Sequence, residues 1–156
     1  MLLPIYLNDH LAGATAGREL ARRTAASNRG TSYGAFLERL AQEVDEDRRA
    51  LLELMRALDV GVDRVKVIAA WTLEKPGRLK LNGRLRGYSP LSRLLELEVL
   101  ALAVRGKLAL WIALQRFAEH EPRLAAADLA GLIERAQRQL AGLEEHRLQA
   151  VPDALA

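Results

Sequence analysis

The stretch from Leu37 to Leu58, LERLAQEVDEDRRALLELMRAL, decides the fold class. Leu37, Leu40, Val44, Asp47, Leu51, Leu54 and Leu58 recur at alternating intervals of three and four residues. That spacing places all of them on one face of a helix packed along its length. One member of the stripe, Asp47, is a carboxylate. Thr31 or Ser32 is positioned to cap the helix, which is expected over about 32–58. Asp59-Val60-Gly61 closes it with a glycine just past the last periodic residue.

Helical periodicity continues on both sides. Upstream, Leu3, Leu7, His10, Ala14, Gly17 and Ala21 form a stripe, predicting a helix over about 3–26. Ala12, Gly13, Ala14, Ala16 and Gly17 leave little bulk there, so a neighbouring helix can approach closely. Ser27-Asn28-Arg29-Gly30 reads as a turn. Downstream, residues 61–88 form a connection of different character. Val62, Val65, Ile68, Ala69 and Thr72 suggest a short helix, broken near Pro76-Gly77. The segment 78–86, centred on Asn82-Gly83, reads either as a hairpin or as a second helical turn; the helical reading suits the rest of the chain better. Ser89-Pro90 then starts a helix over about 89–118 that is apolar nearly all round. His120-Glu121-Pro122 is a tight turn. A last helix is expected over about 124–148, with Leu129, Leu132, Ile133, Ala136, Leu140 and Leu143 facing inward and the tail after Ala150 fraying. The reading is all-α: one domain, 1–156, a four-helix bundle of two antiparallel pairs joined by a long crossover that contains a short extra helix.

Composition narrows the function. There are no cysteines, so disulfides, thiolate metal sites and cysteine nucleophiles are excluded. The first ten residues lack the basic start and apolar run of a signal peptide. The most apolar stretch, Val99–Leu114, is interrupted by Arg105 and Lys107 and is shorter than the ~20 residues of a membrane span. A cytoplasmic protein that does not enter a membrane is expected. Charge is uneven: between Asp63 and Arg93 there are eight basic residues and two acidic ones, although the net charge of the chain is only +3. Lys75, Arg78, Lys80, Arg84 and Arg86 are candidates for binding an anion or a nucleic acid, with Tyr88 as the one aromatic between Lys75 and Arg93 for base stacking.

Two long helix pairs joined by a connection of about 28 residues resemble the ferritin-like bundle, whose metal ligands are a Glu from each of two helices and a Glu-x-x-His from each of the others. The resemblance implies a bundle with parallel second and third long helices. The sequence departs from the family's chemistry: Leu7, Phe117 and Leu143 stand three residues before His10, His120 and His146, so no Glu-x-x-His exists.

Polar residues on the apolar stripes are the remaining candidates. Glu98 and Arg105 share a stripe with Leu91, Leu95, Leu102, Ala109 and Ile112. A charge buried there needs a partner. The expectation is that Arg105 neutralises Asp47 or Glu98 inside the bundle, with His10 hydrogen-bonded alongside. The competing expectation is a metal site of His10, Glu43, Asp47 and Glu98, whose mixed imidazole and carboxylate donors suit Fe or Mn. His120 and His146 read as surface residues. No nucleophile elbow, phosphate-binding glycine loop or His-Glu-x-x-His is present. The leading expectation is a non-catalytic bundle with a structural or protein-interaction role, acting as a homodimer. A divergent metal-binding oxidoreductase and an anion or nucleic-acid binder are the alternatives.

Overall fold

The computed structural model describes residues 2–66, 68 and 87–156. Four long helices dominate: α1 (Leu3–Ser27), α2 (Gly34–Ala57), α3 (Pro90–Ala118) and α4 (Leu129–Leu155), with a 3-10 turn at Pro122–Leu124 before the last. Among the described residues there is no strand, and no helix is long and apolar enough to cross a membrane. Residues 64–66 and 68 are helical, at the start of the short crossover helix expected there. Ala69, Thr72 and the 78–86 segment, with its choice of hairpin or helix, lie outside the described residues.

Side-chain contacts fix the helix directions. Arg18 meets Asp45, and Arg48 donates from Nε to Thr15 Oγ1 at 3.1 Å, so α1 and α2 are antiparallel. Thr24 bonds to Glu96 and Gly17 faces Ala103, so α1 and α3 are antiparallel as well. Glu43 is bonded to Gln139 and Asp47 to Arg135, which runs α4 against α2. Helices α2 and α3 are therefore parallel. The connection between them starts beside the N-terminus of α1, where Asn8 donates to Gly61 O (3.0 Å) and accepts from Asp63 N (2.6 Å). It ends past the C-terminus of α1, where Asn28 Nδ2 donates to Tyr88 Oη at 2.9 Å.

Local chemistry explains most helix limits. Ser89 caps α3 by accepting from Ser92 N at 3.1 Å, and Asp128 caps α4 by accepting from Gly131 N at 2.9 Å. At α2 the expected cap is displaced. Thr31 Oγ1 donates to Asn28 O and accepts from Tyr33 N, so it braces the turn instead, and the helix starts at Gly34. The chain leaves α2 through Asp59, in the left-handed region at φ 55, and not through Gly61. Helix α4 starts later than expected because Pro122–Leu124 takes up the chain, and it runs to Leu155 instead of fraying after Ala150. Ala150 is fully buried and Val151 and Ala154 pack on the core, which holds the last turns in place despite Pro152.

All seven positions of the α2 stripe are buried. In α1 the buried line is Leu7, Leu11, Thr15, Ala21 and Ala25, a small rotation from expectation that leaves His10, Ala14 and Gly17 at its margin. The rotation error in α3 is larger. Its core stripe is Leu97, Leu100, Val104, Trp111 and Leu114, while Leu95, Leu102, Ala109 and Ile112 face outward; Leu102 is 69 % exposed.

A non-glycine residue in the left-handed region is disfavoured. Asp59→Gly should raise unfolding stability by roughly 0.5–1 kcal/mol, readable as a higher midpoint in urea with an unchanged slope. An unchanged midpoint would show that the Arg123–Asp59 contact at 3.4 Å fully offsets the relief of strain.

Candidate functional site

Asp47 sits halfway along α2 with its carboxylate almost wholly removed from water. Both oxygens are occupied. Arg135 Nε donates to Oδ1 at 2.8 Å; Lys107 Nζ and Gln139 Nε2 (3.3 Å) donate to Oδ2. The network then spreads. Lys107 Nζ also donates to Gln139 Oε1 at 2.6 Å, and Gln139 Nε2 to Glu43 Oε2 at 2.9 Å. Arg135 reaches Glu46 at 3.1 Å. Two cations and three carboxylates from α2, α3 and α4 thus meet around one buried amide. Burial lowers the Lys107 pKa below that of a free lysine, against the pull of Asp47. Between the lowered value and 10.5 the unfolded chain binds more protons than the folded one, so this group makes stability rise with pH across that window.

This arrangement corrects the expected pairing. Arg105 is exposed and faces α4, where it adds to the effect of Arg147 in holding the Glu144 carboxyl below its usual range. Glu98 lies on the same outer face, 3.8 Å from Arg147. The cation that meets Asp47 from α3 is Lys107, which follows Leu97, Leu100 and Val104 at the inward spacing. His10 is half-buried with its ring edge-on to Tyr6, at 4.6 Å between centroids, and no hydrogen bond joins it to Asp47 among the described residues. Its pKa is lowered by burial, against the charge of Asp9. The proposed ligand set of His10, Glu43, Asp47 and Glu98 is therefore not assembled: Glu43 and Asp47 are brought together, His10 stands apart, and Glu98 is elsewhere. The residues do not fit an Fe or Mn ion, because the Asp47 oxygens are directed at an ammonium and a guanidinium. No group of three acidic or histidine side chains suited to a metal forms among the described residues.

Beside the network, α1, α2 and α3 line a cavity of about 320 Å³ that opens to solvent at Asp9, Gly13, Ala103 and Gly106. Its walls are mostly apolar, including Leu51, Leu100, Val104 and Leu110, and it widens where Gly13, Ala14 and Gly106 carry little or no side chain. His10, Asp47, Arg48, Lys107 and Trp111 supply its polar edge.

A second buried cluster closes the opposite end. Glu96 accepts from Tyr88 Oη (2.8 Å), Thr24 Oγ1 (3.1 Å) and Arg23 Nε (3.4 Å). Asn28, fully buried, accepts from Arg93 Nε at 2.6 Å, and the Arg93 guanidinium lies 4.4 Å above the Tyr33 ring. Burial raises the Tyr88 pKa. Tyr88 and Arg93 are thus engaged inside the protein; Lys75, Arg78, Lys80, Arg84 and Arg86 lie outside the described residues. His120 is exposed, as expected, but His146 is not a free surface residue: its ring stacks on Phe36 at 4.1 Å and Nδ1 is 2.7 Å from Gly142 O.

Compared with models of known protein families, with curated proteins and with solved structures, the chain matches none.

Removing one partner of a buried pair leaves an uncompensated charge. Asp47→Ala should cost about 3–5 kcal/mol in urea unfolding, and the double change Asp47→Leu with Lys107→Met should recover most of it. Arg105→Ala should stay within about 0.5 kcal/mol of the parent. Equal losses from Asp47→Ala and Arg105→Ala would contradict the assignment of partners.

Proposed function

We propose that this chain is a non-catalytic bundle of the ferritin-like kind that works as a homodimer, in a structural or protein-interaction role. Two features of the core support the first part. The parallel arrangement of α2 and α3 across a long connection agrees with that architecture, and the core position where the architecture carries metal is neutralised here by the protein's own cations.

The observation that carries the homodimer is the outer face of α3. Leu95, Val99, Leu102 and Ile112 are 38 %, 51 %, 69 % and 49 % exposed. Contiguous apolar surface of this kind marks a partner site. Its charges suit a second copy as the partner. Glu98 and Arg105 are seven residues apart on this face, placed almost symmetrically about Leu102. Two α3 helices crossing antiparallel at Leu102 set that leucine against its own copy and Leu95 against Ala109. Glu98 of each copy then meets Arg105 of the other. Such a surface is complementary to itself, as a two-fold interface requires.

Sedimentation velocity tests the reading. The parent chain should sediment as a dimer at micromolar concentration. Glu98→Arg or Arg105→Glu alone should weaken dimerisation about tenfold, by turning attraction into repulsion at both pairs, and the double reversal should restore it. A monomeric parent would sink the homodimer. A stoichiometric metal taken up from Fe(II) or Mn(II) solution and lost in Asp47→Ala would overturn the non-catalytic assignment.

A further inference from the structure

Gly106 sits in the middle of α3 with open space on its bare side. A Cβ added there would meet no atom beyond its own helical turn within 4 Å. Glycine inside a helix is disfavoured relative to alanine, and its usual gain is the close approach of another group. Among the described residues no such group is present. The same glycine stands at the rim where the cavity opens to solvent between α1 and α3. Seven residues earlier, on the same stripe of α3, Val99 is 51 % exposed. One edge of α3 thus carries an apolar knob and a bare hollow.

The neighbours of α3 identify that edge. Gly106 borders the cavity lined by α1, whereas Glu98 lies 3.8 Å from Arg147 of α4 and Arg105 acts on Glu144. At 3.6 residues per turn, Leu102 falls between the two sets. Val99 and Gly106 lie on its α1 side, and Glu98 and Arg105 on its α4 side. A two-fold axis perpendicular to the plane shared by two antiparallel helices sets like edges beside each other. In a dimer crossing at Leu102, the α4 edges pair Glu98 with Arg105, and the α1 edges of the two copies also adjoin. Val99 is three residues before Leu102 and Arg105 three after it. Val99 of the partner subunit therefore comes level with Arg105, one residue or about 1.5 Å from Gly106 along the axis.

We infer that the second copy completes the cavity: Val99 of the partner subunit seats on Gly106 and closes the mouth between α1 and α3, once in each direction. The closure rests on the homodimer proposed above and adds to it a site made of two chains. Its fit is steric, a side chain inserted where the facing helix has none, as knobs enter holes between packed helices. It also gives the exposed valine and the bare glycine a common reason. Access to the cavity then depends on assembly, open at Gly106 in the monomer and covered there in the dimer.

The chain contains no cysteine, so introduced thiols report on contacts directly. A disulfide needs Cα atoms within about 7 Å of each other. Leu102→Cys should cross-link to its own copy at the two-fold axis. Mixed Val99→Cys and Gly106→Cys chains should form a disulfide-linked dimer. Each of those two alone should stay uncross-linked, because like residues are then offset by six and eight positions, roughly 9 and 12 Å. The Gly106→Cys thiol should react with a maleimide about tenfold more slowly in the dimer than after dilution to monomer, since reaction waits for the contact to open. Adding Val99→Ala should remove most of that protection while the chain still sediments as a dimer. A monomeric parent, or no cross-link through Leu102→Cys, would remove the homodimer and the closure together. A dimer that cross-links through Leu102→Cys, but not between Val99→Cys and Gly106→Cys, would overturn the closure alone. Gly106→Cys labelling that dimerisation leaves unchanged would do the same.

Discussion

Burying Asp47 imposes the constraint that organises this bundle. A carboxylate removed from water costs several kcal/mol, which is offset only by close, well-oriented cations and hydrogen bonds. Here the compensation comes from two different helices: Lys107 of α3 and Arg135 of α4, with Gln139 filling the remaining position on Oδ2. One residue of α2 therefore sets the axial register of three helices at once. A slip of one turn in α3, about 5.4 Å, would put Val104 or Trp111 where Lys107 meets the carboxylate. Apolar replacements of such networks are frequently as stable as the original, so the network's main contribution is to register and not to net stability.

Register at the bundle ends has a different source. The connection from α2 to α3 meets α1 at each end through an asparagine. Asn8 holds Gly61 and Asp63, and Asn28 holds Tyr88 and Arg93. Each amide offers both donors and an acceptor, so it can bind two strands of chain that have no regular backbone pairing of their own. With Asp47 between them, these residues put fixed polar points at three levels of a largely apolar core. Apolar contact is non-directional and tolerates sliding; hydrogen bonds at three heights do not.

The sequence made the helices legible but not the rotation of every helix. In α2 a single apolar stripe faces a strongly polar back, and its seven inward positions are buried as expected. In α3 two stripes satisfy the same three-and-four spacing. One runs through Leu97, Leu100, Val104, Lys107, Trp111 and Leu114, the other through Leu95, Leu102, Ala109 and Ile112 with Glu98 and Arg105. Periodicity cannot rank them when both are apolar. The distinguishing signal was chemical: Trp111 is the bulkiest side chain on the helix, and Lys107 is a lone cation on a stripe that already pointed at a carboxylate. The Asp47 half of the core site was therefore readable from α2 alone, while its partners depended on a rotation that only packing settles. Asn28 was harder to see, because its turn composition accounts for it without a buried role.

That rotation also determines what the outside of the molecule offers. Turning Lys107 inward turns Glu98, Leu102 and Arg105 outward, so the outer stripe acquires two opposite charges around an apolar centre. Turning Leu100 and Val104 toward α2 likewise leaves Ala103 and Gly106 along the seam with α1, where Gly13, Ala14 and Gly17 answer them. Small residues on both sides of a seam normally let two helices close up, and protein interiors lose stability when they do not. Gly17 and Ala103 are indeed in near contact, but at Gly13 and Gly106 the seam stays open. The level at which it opens is the level of Lys107 and Trp111, one carrying a buried charge and the other a donor with no partner among the described residues. Closing the helices there would press more hydrocarbon onto both. The same polar side chains that fix the register of the bundle thus keep one of its seams from collapsing, and that is why the cavity lies beside the charged core and not in the aliphatic layers above or below it.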